Sequence, residues 1–383
     1  MNRFGGVAAA CVAFVALVFA GGPHPTPYDN FVLLADAMLH GHVWIDWPGP
    51  YIDALHYGDR YYVVEAPLPA LLLLPFVRWF GTGVDQKLLA EALCAVATYA
   101  GWEIARTLEV PARTRALLRG FLLLGTDLFW CAMLGDVWFI AHVAAVAFTL
   151  LALLELLRER RGWVVALYAG CALESRFALV VALPVYAAML GFGSGSASES
   201  RRRVASFALA LVPVAVFWVA YNELRWGLPY DIGYTAWYHQ DNAGMPTGSP
   251  FRLGYLGYQL QSFFVQHPDR IATYPYLIPS FAGVALTWTS PALVLAFFAR
   301  RPAALVLSLW TLTILAAVPN FLYYVNGYAQ FGMRHALDFE PFLFVLMALA
   351  VRRGAHPVAV ALVLYSMLAG AWGVWFWRTF VRH

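Results

Sequence analysis

The stretch AHPVAVALVLYSMLAGAWGVWFW, residues 355–377, holds no aspartate, glutamate, lysine or arginine. About 20 such residues suffice to cross the hydrocarbon core of a bilayer. A soluble core helix would carry a polar stripe, and this one has none. Residues 4–22, 204–221 and 276–299 read the same way, each nearly free of charge. Over the whole chain 61% of residues are hydrophobic and 12% charged, against roughly 25% charged in an ordinary soluble protein. Soluble classes are excluded, and the expectation is an all-α polytopic membrane protein, one integral membrane domain over residues 1–383.

The net charge of +3 is small, and no basic run is interleaved with base-stacking aromatics, so nucleic acid is not an expected partner. Lys87 is the only lysine. That bias toward arginine, with abundant alanine, points to a GC-rich bacterial genome. Cys11, Cys94, Cys131 and Cys171 lie inside apolar segments and read as packing residues, not as a disulfide or zinc framework. The N-terminal apolar run after Arg3 is long for a signal peptide and is followed by further spans, so it reads as an uncleaved first transmembrane helix.

Short cytoplasmic loops collect arginine and lysine. Placing the clusters at Arg3, 106–119, 158–161, 201–203, 300–301 and 352–353 on one side requires that 67–80 does not span. That stretch is short and holds Pro67, Pro69 and Pro75, which suits a surface or re-entrant helix. About eleven transmembrane helices follow, near 4–22, 86–105, 117–134, 138–157, 163–174, 176–193, 204–221, 276–299, 303–319, 335–351 and 355–377. The pair 163–174 and 176–193 must turn at Glu174-Ser175-Arg176, or else form one broken helix. The N-terminus is expected in the cytoplasm and the protein in the plasma (inner) membrane. Two long external loops follow, 23–85 and 222–275, with Gly191–Ser200 as an internal linker. No internal repeat of the transporter kind is present.

The first external loop carries the chemistry. After Pro23, Pro25 and Pro27, Tyr28-Asp29 leads into a helical pattern of Phe31, Leu34, Ala35, Met38 and Leu39, stopped by Gly41. This helix is expected to lie on the membrane, apolar face down, with Asp36 and His40 on its upper face. Asp29 can be a plain N-cap. The acidic residues Asp36, Asp46, Asp53, Asp59 and Glu65 can be a solvated surface. They are set, however, among Trp44, Trp47, Tyr51, Tyr57, Tyr61 and Tyr62, and carboxylates between aromatic rings suit a carbohydrate and its hydroxyls.

Tyr28-Asp29 with Met38-Leu39-His40-Gly41 resembles the start of the membrane glycosyltransferases of the GT-C fold, which include protein O-mannosyltransferases and lipid A aminoarabinose transferases. Gly58-Asp59-Arg60-Tyr61-Tyr62 and Glu65-Ala66-Pro67-Leu68-Pro69 are similar to the second half of their first loop. Arg176 resembles their arginine heading a middle span. The segment from Tyr221 to Pro229 followed by Gly233-Tyr234, and that from Phe331 to Asp338 followed by Pro341-Phe342, resemble their later motifs. Asn30 follows Asp29 where many of these enzymes carry Asp-Glu, and Ala66 stands where they carry lysine.

The resemblance implies transfer of a sugar from a polyprenyl-phosphate carrier, on the external (periplasmic) face, to a protein, lipid or polysaccharide acceptor. It makes Asp29 the base, with Asp36 or His40 in support. Arg60, Arg176 and Arg334 become candidates to grip the leaving phosphate, and Tyr61, Tyr62, Glu65 and Asp338 candidates to line the substrate site. Arg334 can equally pair with Asp338, four residues on, and Arg176 with Glu174. His142 reads as a packing residue. No His, Cys and carboxylate set has metal-ligand spacing; a divalent ion, if one takes part, would draw on Asp29 and neighbouring carboxylates. The rival readings are a polyprenyl-lipid flippase, which needs charges near mid-membrane, and a catalytically silent assembly partner.

Overall fold

A computed structural model describes residues 4–49, 54–192, 195–241 and 248–381; Asp53 and Tyr51 of the first loop lie outside them. The chain is mostly helical. It begins with α1 (Gly5–Gly21) and α2 (Asn30–Leu39), then a hairpin of β1 (Ala54–Tyr57) and β2 (Arg60–Val63), then α3 (Leu68–Phe80). Next come α4 (Gln86–Thr107), α5 (Ala112–Leu124), α6 (Leu128–Leu134), α7 (Val137–Leu157) and α8 (Gly162–Leu173). A 3-10 stretch, Phe177–Ala182, leads into α9 (Leu183–Gly191), followed by α10 (Ala197–Trp226), α11 (Gly233–Asp241) and α12 (Leu256–Phe264). After the two-residue strands β3 (Asp269–Arg270) and β4 (Leu277–Ile278) come α13 (Leu286–Thr289), α14 (Ala303–Leu322), α15 (Glu340–Ala350) and α16 (Pro357–Phe376).

Five helices among the described residues are long and apolar enough to cross a membrane: α4, α7, α10, α14, and α16 with its extension to Val381. The bent pair α5–α6, which turns by 49°, would make a sixth. At about 1.5 Å per residue a 20-residue helix reaches the roughly 30 Å needed. The other apolar helices are shorter. The expected span 276–299 is not one helix: β4, α13 and a 3-10 stretch over Pro291–Phe298 divide it. Pro291 removes an amide donor at that break. The pair 163–174 and 176–193 does double back. Arg160, just before α8, donates to the carbonyls of Met189 and Phe192 at the end of α9.

The core forms around α7, which is buried on nearly every side from Val137 to Leu156. It packs against α4, α6, α8 and the segment 334–338. Ala141, Ala144, Ala145 and Ala147 on α7 face a bundle that includes Ala90, Ala97 and Ala100 of α4, all buried. Small residues let apolar helices approach closely where no water drives them together. Two glycines mark the tightest crossings: a Cβ on Gly162 would overlap the Arg203 carbonyl of α10, and one on Gly370 the Leu124 carbonyl of α5.

Arginines gather at one end of this bundle. Arg106 and Arg158 share Glu103, Arg161 pairs with Glu155 at 2.8 Å and Arg203 with Glu199 at 2.6 Å. The first long loop lies at the other end, fastened to the heads of α4 and α7. Buried Gln86 accepts from the Phe31 amide (3.2 Å) and donates to the carbonyls of Tyr28 (3.0 Å) and Gly135 (2.7 Å). The Val137 amide also donates to the Tyr28 carbonyl, at 3.1 Å.

Lys87 closes the C-terminus of α1. Its buried ammonium donates to the carbonyls of Gly21 (3.3 Å), Gly22 (2.9 Å) and His24 (2.6 Å), with the Asp85 carboxylate at 3.6 Å. Helix C-termini leave carbonyls without partners, and a cation there also meets the helix dipole. Lys87→Met should therefore lower stability by about 2–4 kcal/mol, measured as a shift of the unfolding midpoint in detergent; an unshifted midpoint would refute the clamp.

Candidate functional site

The helix α2 places Asp29, Leu33, Asp36 and His40 on one face, at spacings of three and four residues. Its other face, Phe31, Leu34 and Ala35, is fully buried. That apolar face does not rest on lipid, as the sequence pattern alone implies: it packs against α3 and the head of α7. The polar face lines an open cleft of about 470 Å³, with Asp29, Asp36, His40, His42, Asp46 and Trp47 on its walls.

Asp29 occupies the N-cap position of α2, yet its side chain makes no capping hydrogen bond. Its backbone carbonyl starts the helix instead, accepting from Val32 at 2.8 Å. The carboxylate is left to the cleft. Partial burial pushes its pKa up from the ordinary aspartate range, and the Asp85 carboxylate adds to the rise; a backbone hydrogen bond works against it. Desolvation disfavours the charged form, so Asp29 is a stronger base than an exposed aspartate.

The remaining first-loop candidates divide between two surroundings. The His40 ring lies 3.6 Å from Asp36 as an exposed pair. His42 stacks on Trp44 at 4.4 Å, and the half-exposed Arg60 guanidinium lies over Trp44 at 3.7 Å. Tyr61 packs on Trp47, a cleft residue, at 4.9 Å. These groups form one rim. Tyr62 points the other way and is buried against Trp226 of α10. Glu65 is buried as well, and its Oε2 has no hydrogen-bond partner among the described residues. Arg225 ties this part of the loop to α10 by donating to the carbonyls of Val63 (2.9 Å) and Val64 (3.3 Å).

Arg176 and Asp338 belong to a separate, buried cluster. Arg176 grips Asp338 in a two-point fashion, through Nε at 3.2 Å and Nη2 at 3.0 Å. The same carboxylate accepts from Asn320 Nδ2 at 3.1 Å and meets His142 Nδ1 at 3.2 Å. An ionised carboxylate only accepts, so Nδ1 carries the His142 proton. Four bonds fill the acceptor capacity of Asp338, which leaves it no valence for substrate. Arg176 also reaches the Tyr234 hydroxyl at 3.4 Å.

Two local pairings suggested by spacing are thus replaced by distant ones. Arg176 turns to Asp338 and not to Glu174, whose carboxylate has no hydrogen-bond partner among the described residues. Arg334 turns from Asp338 to the Gln330 side chain (2.9 Å) and the Tyr328 carbonyl (3.3 Å), with its guanidinium over Phe139. Neither Arg176 nor Arg334 lines the Asp29 cleft. Cleft and cluster are joined through α7, and through α3, whose Leu68 amide donates to the Glu174 carbonyl beside Arg176 at 2.8 Å. Tyr28 packs on Trp138 at the head of α7, and His142 follows about 7.5 Å along the axis from Val137. His142 and Asn320 reach Asp338, and Gln86 the first loop, through contacts that sequence spacing does not reveal. No group of three or more His, Cys, Asp or Glu able to hold a metal occurs among the described residues.

No family model, curated protein or solved structure matches this chain.

The buried pair invites a double-mutant cycle. Arg176→Met and Asp338→Leu singly should each cost about 3–5 kcal/mol, since each strands an uncompensated buried charge. The double variant should cost clearly less than the sum. Additive losses in chemical denaturation would show that the two groups are not coupled.

Proposed function

We propose that this chain is a membrane glycosyltransferase of the GT-C kind, which moves a sugar from a polyprenyl-phosphate carrier to an acceptor hydroxyl with Asp29 as the base. One observation carries the reading: Asp29 stands at a helix head without capping it and turns its carboxylate into an open, acidic, aromatic cleft at one end of an apolar bundle. In the reaction Asp29 takes the proton of the acceptor hydroxyl as that oxygen bonds to the anomeric carbon. The bond from that carbon to the phosphate oxygen breaks, and the phosphate leaves with the electron pair.

Arg60 is the candidate best disposed for the leaving phosphate, being half-exposed on the cleft rim over Trp44. Arg176, committed to Asp338, supports the scaffold behind the cleft. The multi-pass arrangement belongs to this reading too. The arginine-bearing end faces the cytoplasm of the plasma membrane with the N-terminus, and the cleft faces outward.

A carrier-lipid transporter is the rival. It calls for charged groups deep in the spans, whereas α7 beyond His142 is apolar as far as Leu154 except for Thr149. Along α7 the ionisable groups thus keep to the two ends, which supports chemistry at one end, although Glu91 of α4 and Asp127 of the α5–α6 pair are buried within the bundle.

The test is transfer in liposomes from labelled polyprenyl-phosphate sugars to candidate acceptors. Asp29→Asn should slow it roughly 10²–10⁴-fold, and full transfer by that variant would sink the base assignment. Carrier movement without transfer would favour the transporter; neither activity would favour an assembly role.

The pH profile supplies a second check. Only ionised Asp29 can accept a proton, and burial raises its pKa. The acid limb of kcat/KM should therefore lie above the ordinary aspartate range, with activity lost as pH falls through it. An acid limb at the position of an exposed aspartate would argue against a buried base.

A further inference from the structure

The helix α12 turns its leucines outward. Its buried positions are Gln259, Ser262 and Phe263. Gln259 Nε2 donates inward to the Tyr323 carbonyl at 2.8 Å, while its Oε1 has no hydrogen-bond partner among the described residues; Ser262 Oγ donates back to the Tyr258 carbonyl of its own helix at 3.0 Å. Leu253, in the turn that opens the helix, then Leu256, Leu260 and Phe264 form the outward stripe, at spacings of three, four and four residues. Leu253 is 78% exposed and Val265, just past the helix, 61%. A water-facing amphipathic helix buries its leucines; here they stand exposed beside Gln261, while Gln259 is buried.

From Leu253 to Gln266 the chain has no Asp, Glu, Lys, Arg or His. The face is continuous with another of the same kind. Phe263 and Phe264 pack on Phe321 in the last turn of α14, at 5.0 and 6.2 Å between rings. The helix α14 is itself long and apolar enough to span, and it exposes Leu307, Ile314 and Val318 along one side. Whatever solvent covers that stripe also covers α12.

We infer that α12 contacts the acyl chains of the bilayer leaflet at the cleft end of the bundle, so that part of the long segment 222–275 is membrane-embedded and not an aqueous loop. The helix with its opening turn spans about 18 Å, too short to cross but suited to an interfacial or single-leaflet position. Tyr258, half out of the protein with its hydroxyl on Asn326 Oδ1 at 2.8 Å, sits as interfacial tyrosines do, ring toward lipid and hydroxyl held. The inference rests on the membrane class of the chain and is independent of any catalytic activity.

The full-length chain, with Cys11→Ser and Cys171→Ser to remove the two cysteines that are not buried, would carry Leu260→Cys or, as reference, Asp59→Cys at the exposed hairpin tip. Each is labelled with bimane in phosphatidylcholine vesicles and exposed to acyl-chain nitroxide lipid or to aqueous iodide. The label at 260 should be quenched about threefold more by nitroxide lipid than the label at 59, and about threefold less by iodide. Leu256→Cys should behave like Leu260→Cys. Equal iodide quenching at 260 and 59 would overturn the inference. So would a label at 260 that neither quencher reaches, with copies cross-linking through that position, because a second copy would then cover the face.

Discussion

A carboxylate sealed from water organises the cleft end of this bundle. Asp338 is fully buried and gathers hydrogen bonds from α7, from the α8–α9 turn and from the end of α14. An unpaired buried charge is strongly destabilising, so these segments hold Asp338 only in an arrangement where all three supply donors. Discrimination against other packings follows from that penalty more than from the pair's own attraction. The turn Glu174-Ser175-Arg176 must then face inward at this level, and it carries the start of α3 with it through the bond from the Leu68 amide to the Glu174 carbonyl at 2.8 Å.

The helix α7 links this buried cluster to the cleft. Its first turn holds Tyr28 through the Val137 amide and the Trp138 ring, and Gln86 fastens the same stretch from α4. Asp29 is therefore borne by a backbone fixed at several points, while its side chain makes no capping bond to α2. The Arg176–Asp338 pair is neutral by pairing, whereas the cleft is acidic and open.

Much of the first loop could be read locally. The helix behind Asp29, its stop near Gly41 and the shared face of Asp36 and His40 all follow from three- and four-residue spacing, and they appear in α2 as expected. The apolar face of that helix was legible but its cover was not, since lipid and the α3 side chains reward the same leucines. The division of 276–299 into short pieces was likewise hidden, because a charge-free run records hydrophobicity and not continuity of hydrogen bonding. In α12 the same ambiguity runs the other way, a helix in a nominal loop that exposes its leucines.

By itself the sequence determined that the chain is helical and suited to lipid, where its arginines fall and which loop concentrates carboxylates among aromatics, since these are properties of composition and short-range period. Only the tertiary structure decided that Arg176 takes Asp338, that Arg334 goes to Gln330, and that His142, Asn320 and Gln86 hold the cleft end together. The partners of Asp338 come from positions 142, 176 and 320. Local spacing offers only the near candidate, whereas burial selects whichever donors share the same dry space, however far apart along the chain.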